Sequence, residues 1–462
     1  MADTKVGIQK AGSVEIVELK IIGSTGFVID LRDFLIELNI YEDIFASSLY
    51  GDISLSDSRN IIESLPIIGE EYLNVSFKTP SFEASGDVIQ KSFRVFRLSN
   101  RKIVRDNNTQ TFKLHFASTE LFYDVLLPVY KSFEGDVGEV ALDVFNEYLK
   151  TPRDFIIDSS NNVKLDLDKS SSFFVSETDN KIKFVSPGWT PLKILNWLAS
   201  KAIPKDDTKA KDFLFFETTK SFYFTSIEKI FKDVSETNNI VDEYTYSVSN
   251  IKDNQKVDIR RELALVNEIE MVESTDYMKN YTNGYLASRL ITLDVFNKKY
   301  EAIDYDYVED YKNLYHSSGK GSSAKPLFEV DGARTPLSSI SFYPVNPRLF
   351  QESTTKYFEG NTSERMKEIY GNRKSSLLGL TNIKLNLTVP GRTDIEVGRM
   401  INFIFPKLGP ASEEDLAMKR RDTVYSGKYL ITAVNHRVTP QEHTIIMEVV
   451  KDSRFDSTTE ND

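Results

Sequence analysis

Residues 387–406 read LTVPGRTDIEVGRMINFIFP, and two further segments continue the same pattern, SGKYLITAVNHRV at 426–438 and EHTIIMEVVK at 442–451. Apolar and polar residues alternate through most of this region, a period of two that is typical of β-strands with one buried face. A polar insertion at 409–422 interrupts the alternation. We therefore predict four strands, at 383–389, 395–405, 428–438 and 443–450.

The beginning of the chain shows the same period. Between residues 13 and 118, short alternating runs are separated by turns that contain Gly and Asn, a pattern typical of a β-barrel or a sandwich. One short helix is expected at 57–65, where Pro66 would end it. We expect a first β-barrel module at 13–118 and a second at 361–451.

The two modules also resemble each other in sequence. The motif GEE at 69–71 precedes one alternating run, and GRM at 398–400 precedes another. In both places a pair of strands joined by a polar turn follows. A duplicated module would produce this echo, and a chance similarity is the alternative. The period is too long for a solenoid.

Between the modules the spacing of apolar residues becomes helical. We expect a mixed helical domain at 119–242, with one helix in 136–150 and another that starts at Thr190 and Pro191. Threonine is a good N-cap, and proline is favoured at the first helical position. A β-hairpin is predicted within 213–224.

The remaining patterns divide the rest of the chain. The expected segments are 243–310, strands with a long hairpin; 311–360, an irregular excursion rich in Ser, Gly and Pro; 361–451, a helix at 362–376 followed by the second module; and 452–462, a polar tail. The expected fold class is α+β and mainly β: two similar small β-barrels, a helical or mixed domain between them, and an irregular inserted region.

Composition excludes several functional classes. The 462 residues include 57 Lys and Arg against 69 Asp and Glu, a formal charge of −12, and no cysteine. Disulfides, thiolate metal sites and cysteine nucleophiles are therefore excluded. The acidic balance argues against a duplex-binding protein, because cations that neutralise phosphates supply that affinity. No run approaches the ~18 apolar residues of a membrane helix, and residues 1–12 predict a cytoplasmic start.

Motifs for nucleotide, metal or nucleophilic chemistry are weak. The segment GKGSS at 319–323 lacks the first glycine of a P-loop, because residue 314 is Leu. His436 and His443 could face each other across a turn that contains Glu442, but a metal would need a third ligand. No GxSxG or GxGxxG motif occurs. We therefore predict no catalytic, cofactor-binding or metal-ligating residues, and no cofactor.

Two charged clusters leave alternatives open. An acidic run with tyrosines between its members could supply the two carboxylates of a glycoside hydrolase, whereas the calcium loop of an EF-hand is absent. Its members are Glu301, Asp304, Asp306, Glu309 and Asp310. A basic stretch could face a nucleic acid. Its members are Arg94, Arg97, Arg101, Lys102 and Arg105. A solvated strand face is the simpler interpretation of both clusters. Trp189 and Trp197 could form a sugar platform, but core packing is the default.

As a whole, the chain resembles the central baseplate hub proteins of contractile-tailed, T-even-like bacteriophages. The resemblance is carried by FLIELNIYEDIFASSLYGDISLSDSRNIIESLPIIGEEYLNVSF at 34–77, GDVGEVALDVFNEYL at 135–149, the hairpin within 213–224 and, most specifically, 387–451. These segments stand in the expected order over most of the chain. The insertion at 409–422 and the stretch 317–360 depart from the family's pattern.

The resemblance implies a homotrimer in which each chain contributes two tube-type barrels, so that six barrels surround a channel. Such a ring would join a trimeric spike protein to the sixfold tail tube or its initiator proteins and would contact baseplate wedge proteins. DNA would pass through it without specific binding. The implied role is structural and non-enzymatic, in the baseplate of the virion tail, after synthesis in the host cytoplasm. The alternatives are a tail-associated cell-wall-degrading glycosidase or peptidase, and a carbohydrate-binding β-protein.

Overall fold

The structure of the chain is a computed structural model. It describes residues 10–23, 26–65, 67–80, 88–104, 109–150, 154–157, 163–166, 172–240, 242–246, 259–273, 276–295, 298–321, 324–325, 339–344, 349, 362–406, 421–422 and 424–455. The predicted insertion at 409–422, Arg105 and the end of the GKGSS segment lie wholly or mostly outside these residues.

The first half of the chain forms an antiparallel sheet in the order β3-β4-β7-β6-β5-β1-β2. The elements are β1 (Glu15–Ile22), β2 (Val28–Asp30), β3 (Leu35–Asp43), β4 (Tyr50–Asp57), α1 (Ile61–Ser64), β5 (Tyr72–Lys78), β6 (Val88–Val104) and β7 (Thr109–Ser118), with a 3-10 turn at Arg32–Phe34. Alternate residues of these strands meet in one apolar core, which includes Leu38, Ile53 and Phe116. The alternation in the sequence therefore reflects burial of one face.

The middle region mixes helices and short strands. Its elements are α2 (Thr119–Leu126), β8 (Ser132–Asp136), α3 (Val137–Val144), a π-helical turn (Phe145–Leu149), β9 (Asp154–Ile157), β10 (Val163–Asp166), β11 (Ser172–Val175), β12 (Lys181–Val185), α4 (Pro191–Ala199), β13 (Phe213–Glu217), β14 (Ser221–Ser226) and α5 (Ile227–Thr237). The hairpin β13-β14 forms as predicted, and Pro191 is the first residue of α4. Phe145, Leu195 and Phe222 lie in the core of this region.

The second half adds strands and one long helix. Its elements are β15 (Glu243–Tyr246), α6 (Ile259–Leu263), β16 (Leu265–Val266), β17 (Glu268–Glu273), α7 (Tyr277–Asn283), β18 (Ala287–Asp294), β19 (Lys299–Asp306), α8 (Tyr307–Tyr311), β20 (Tyr315–His316), β21 (Gly319–Lys320), β22 (Ala324–Lys325), β23 (Ser339–Pro344), α9 (Thr362–Gly379), β24 (Ile383–Pro390), β25 (Met400–Ile404), β26 (Gly427–Val438), β27 (His443–Lys451) and β28 (Arg454–Phe455). No helix in the described part of the chain is both long and apolar enough to cross a membrane.

The two halves repeat one strand arrangement. The order β4-β7-β6-β5 recurs as β24-β27-β26-β25, with β3 beside β4 and β17 beside β24. The ladders even share an irregularity: β6 shifts register against β7 between Val95 and Arg97, and β26 shifts against β27 between Ile431 and Ala433. Because a bulge is a specific local feature, its recurrence at corresponding positions supports a duplicated unit.

The fold is mainly β, as predicted, but the described strands do not pair into closed barrels. Instead β3 pairs with β26, so that strands of both halves join a single 14-stranded sheet. The backbone N–H and C=O groups at the open edge of β3 therefore bond to β26 of the second half, and not to the strand at the opposite edge of the first-half sheet.

Three local predictions differ from the structure. The strand expected at 395–405 covers only Met400–Ile404. Ile395 and Val397 lie in a loop, and their side chains are buried in the core. Their alternate spacing therefore reflects burial of the side chains and not pairing of a strand. The helix expected at 57–65 is limited to α1, because Asp57 remains in β4 and its carboxylate accepts from the N–H of Ile61. Finally, the stretch expected to be irregular contains β23, which pairs in parallel with β18.

Candidate functional site

The contact between β3 and β26 unites the repeated halves, and we call it the junction. Six residue pairs form its antiparallel ladder, from Asp43 opposite Ala433 to Leu38 opposite Val438. On the exposed face, the guanidinium of Arg437 donates to Glu37, with an Nε to Oε2 distance of 2.8 Å. Partial burial raises the pKa of Glu37, but hydrogen bonds from Asn39 and Arg437 outweigh it and lower the pKa.

Glu42 is the buried carboxylate of the junction. Its side chain accepts from the backbone N–H of Thr219 at 2.8 Å and from that of Val397 at 3.0 Å. Burial raises the pKa of Glu42 to about 7, which the hydrogen bond from Val397 opposes and the charge of Glu396 reinforces. One side chain of β3 therefore contacts the tip of the hairpin β13-β14 and the loop before β25.

His436 and His443 face each other in the junction, as the sequence suggested. Nδ1 of His436 lies 3.1 Å from Nε2 of His443, and the stacked ring centroids are 5.3 Å apart. Both are buried, and Phe77 packs edge-on against them. Burial lowers the pKa of His436 to about 3 and that of His443 well below its usual value, so both rings are neutral. Nε2 of His436 is 3.8 Å from Glu42.

The observed contacts of this pair lie within the fold, and among the described residues no group of three or more His, Cys, Asp or Glu side chains is placed to hold a metal ion. The two rings instead bond to each other, one nitrogen donating and the other accepting. Glycine at 391 makes room for them, since a Cβ there would lie 2.1 Å from Cγ of His443.

Glu217 of the hairpin β13-β14 binds residues of the first half and so holds the middle region against it. This carboxylate is fully buried and accepts from the N–H of Leu49 at 2.8 Å and from the hydroxyl of Ser118 at 2.6 Å. It also contacts the ammonium of Lys91. Sequence reasoning found the hairpin but missed this residue. The available signal was a single acid after the apolar run FLFF at 213–216.

The motif GRTDIEVGR at 391–399 belongs to the second half and also contacts the first half. Arg392 is almost fully buried and binds Asp394, with an Nε to Oδ1 distance of 2.9 Å, and Asp242. The N–H of Thr393 donates to Thr79 of the first half at 3.2 Å. The most distinctive segment of the sequence thus contacts both halves of the sheet, and its polar residues stabilise their relative position.

Three members of the acidic run are engaged in ion pairs or in a helix cap. Asp304 pairs with Arg289, with an Nε to Oδ1 distance of 2.6 Å, and Glu301 pairs with Lys299. The carboxylate of Asp306 caps α8 by accepting from the N–H of Val308. These contacts are consistent with a solvated strand face, the simpler of the two interpretations.

Substitution tests this assignment. Alanine at Glu301 or Asp304 is expected to change the free energy of unfolding by less than about 1 kcal/mol, as exposed ion pairs contribute little. Alanine at Asp306 is expected to cost about 1 kcal/mol through the lost cap. Urea titrations of the purified variants measure both, and a cell-wall zymogram run beside them should show no activity that any variant loses. A lytic band of the wild-type protein that disappears in one stably folded variant would contradict this assignment.

The other groups of predicted candidates lie apart from one another in the fold. The guanidinium of Arg94 stacks 4.1 Å above the ring of Tyr72, while Arg97, Arg101 and Lys102 remain exposed on β6. Trp189 and Trp197 contact each other, with ring centroids 5.4 Å apart, and pack against the core of the middle region. In the described part of the GKGSS segment, Gly319 and Lys320 form β21.

A groove of about 810 Å³ lies between α5, β14 and the loop that ends at Met400. Its four acids are engaged in ion pairs: Glu177 with Lys205, Asp206 with Lys229 and Lys232, Asp233 with Lys229, and Glu396 with Arg399. The carboxylates that line the groove are therefore neutralised by neighbouring cations.

Known proteins resemble this chain in sequence and in fold. It is 21% identical over 443 residues to the "Probable baseplate hub protein gp334" of Vibrio phage KVP40, covering 92% of each chain. No protein-family model matches it. Its fold is similar to that of the tail protein from Neisseria meningitidis MC58, with a TM-score of 0.51, 9% identity and coverage of 94% of this chain and 96% of that one. A 43 kDa tail protein of prophage MuSo2 from Shewanella oneidensis gives a TM-score of 0.49 at 11% identity, with 94% and 98% coverage. The similarity to gp334 confirms, over 92% of this chain, the resemblance to phage baseplate hub proteins that the sequence predicts.

Proposed function

We propose that this chain is a structural subunit of a phage baseplate hub. The observation that supports this most is the duplicated strand unit, two copies of which lie side by side in one chain and join through the pairing of β3 with β26. Three such chains would supply six similar units. A ring of this kind can match a threefold partner on one side and a sixfold partner on the other.

The partners follow from that symmetry. A trimeric central spike would bind the threefold side, and the sixfold tail tube or its initiator proteins would bind the other, with wedge proteins at the periphery of the virion baseplate. DNA would pass through the channel. The formal charge of −12 suits such a passage, because few fixed cations are available to hold phosphates. Residues 13–118 and 361–451 would be the two tube-type modules, and 119–242 the domain that braces them.

The role is expected to be non-enzymatic. Glu301 and Asp304 of the predicted run and the acids of the groove beside α5 are paired with cations, and Asp306 caps a helix. No observation favours the cell-wall-degrading enzyme or the carbohydrate-binding protein over the hub.

Oligomeric mass tests the proposal. Light scattering of the purified protein, alone and with the spike protein of the same phage, is expected to give three copies of this chain per particle. Purified tails should contain the chain, and tails made without it should lack a joined spike. A strict monomer under both conditions, or tails that assemble with a spike in its absence, would contradict the proposal.

A further inference from the structure

Besides the terminal strands β2 and β16, two strand edges of the duplicated sheet are paired on one side only in the described residues. β17 pairs with β24 on one side only. The C-terminal part of β6, from Arg97 to Val104, pairs with β7 on one side only. β9 contacts β6 but pairs with β10. Unpaired edges present backbone donors and acceptors on which another strand can add.

The duplication identifies the counterpart of each edge. Lys102 lies opposite Thr111 in the ladder of β6 with β7, as Arg437 lies opposite Thr444 in the ladder of β26 with β27. β6 therefore corresponds to β26. By the same test β17 corresponds to β3. Glu268 of β17 pairs with Thr388 of β24, and Glu37 of β3 pairs with Ser54 at the corresponding position of β4.

The counterparts of the two open edges are the two strands that meet at the junction. Inside the chain, β26 pairs with β3, and Arg437 binds Glu37 across them. The corresponding residues on the open edges are Lys102, with Arg101 beside it, and Glu268. The open edges thus carry the same charge complementarity as the junction, one basic and one acidic.

We propose that β6 of one copy of this chain pairs in an antiparallel manner with β17 of the next copy, and so repeats the junction between subunits. Lys102 would lie opposite Glu270 and beside Glu268, and both acids are exposed in the single chain. The pairing would also cover apolar side chains that a lone chain exposes. These are Ile103, 79% exposed, Val104, 44%, Met271, 48%, and Val272, 44%.

The two edges differ, so the contact is head to tail, and repetition of a head-to-tail contact closes a ring when the rotation allows it. The number of copies in that ring is the one proposed above, and in this respect the assignment rests on the proposed function. The identity of the paired edges is independent of the copy number.

Engineered cysteines test the pairing directly, because the chain has none of its own. Residues opposite each other in an antiparallel ladder have Cα atoms about 4.5–5.5 Å apart, within the range of a disulfide. The variant Lys102→Cys/Glu270→Cys is expected to form covalent oligomers after mild oxidation. The matched variant Asn39→Cys/Arg437→Cys, at the corresponding pair of the junction, should crosslink within one chain and keep the mass of a monomer.

Charge reversal is the second measurement. Arg101→Glu/Lys102→Glu, or Glu268→Lys/Glu270→Lys, places like charges opposite each other and is expected to raise the dissociation constant of the oligomer at least ~10-fold. The four substitutions combined should restore association to within a few-fold of the wild type. Lys181→Glu/Lys183→Glu on β12 is the control and should leave association unchanged.

The outcomes separate the two proposals. A trimer that forms normally, gives no crosslink between 102 and 270 and ignores the charge reversals would overturn the edge pairing and leave the proposed function intact. A chain that stays monomeric and uncrosslinked, alone and in assembled tails, would overturn both. Crosslinked oligomers with rescue by the combined variant support the assignment.

Discussion

Replacing Glu217 with alanine is expected to lower the free energy of unfolding by about 3–5 kcal/mol, the usual cost of breaking a buried charged pair by removing one partner. The substitution leaves the ammonium of Lys91 without this carboxylate, and it removes the acceptor for the N–H of Leu49 and the hydroxyl of Ser118. Urea unfolding of the two proteins measures the difference.

Glu147 supplies the matched control. It pairs with Lys131 at 2.6 Å, but both side chains are nearly half exposed, so Glu147→Ala should cost less than about 1 kcal/mol. Glu217→Gln keeps one acceptor oxygen and should fall between the two. Equal effects of the alanine variants at 217 and 147 would show that the hairpin does not lock the middle region onto the sheet.

The second expected result is a steep loss of stability below about pH 4.5. The pKa of His436 is about 3 in the folded chain against an ordinary 6.5. Between these two pH values the imidazole binds a proton in the unfolded chain but stays neutral in the folded chain. The stability contributed by this neutral histidine is complete above pH 6.5 and is lost as the pH falls towards 3. His443, whose pKa is also lowered by burial, adds to the same loss.

Glu42 acts in the opposite direction over part of this range. Its pKa is raised from 4.5 to about 7, so the folded state holds a proton that the unfolded state releases. Stability from this group is complete below pH 4.5 and is lost as the pH rises to 7. Between pH 4.5 and 6.5 the contributions of the histidines and the carboxyl oppose each other, and below 4.5 only the loss from the histidines continues.

Urea midpoints measured from pH 3 to 8 test these signs. His436→Gln/His443→Gln should flatten the acid side of the profile. Glu42→Gln should steepen the rise of stability with pH between 4.5 and 6.5, because it removes the contribution that opposes the histidines. His115→Gln is the comparison: burial also lowers the pKa of this partly buried ring outside the junction, so its removal should flatten the acid side less than the double variant does. An acid slope that persists in the double variant would contradict the neutral-pair assignment. If that variant fails to fold, the wild-type histidine protons can be titrated by NMR.

Some features were predictable because they depend on local pattern. Period-two alternation located the strands of both halves, and the Thr190-Pro191 start located α4. The facing of His436 and His443 followed from a short turn between adjacent strands. Alternation failed at Ile395 and Val397, where loop residues are buried by neighbours distant in sequence.

The parts that sequence reasoning missed depend on contacts between distant residues. Glu42 binds the N–H groups of Thr219 and Val397, which are 177 and 355 positions away in the chain. No local period records such contacts. The sequence showed only one of the two open edges, as a basic stretch at 94–105. Its acidic counterpart could be recognised only from the ladder register, which identifies β17 as the counterpart of β3.

The covalent linkage of the two repeated units has a consequence for assembly. In the proposed ring of six units from three chains, every second contact would form within a polypeptide and keep a fixed effective concentration however dilute the protein becomes. Only three contacts require collisions between molecules. Dilution should therefore open the ring at alternate joints, so that two-unit arcs rather than single units are the pieces that associate and separate.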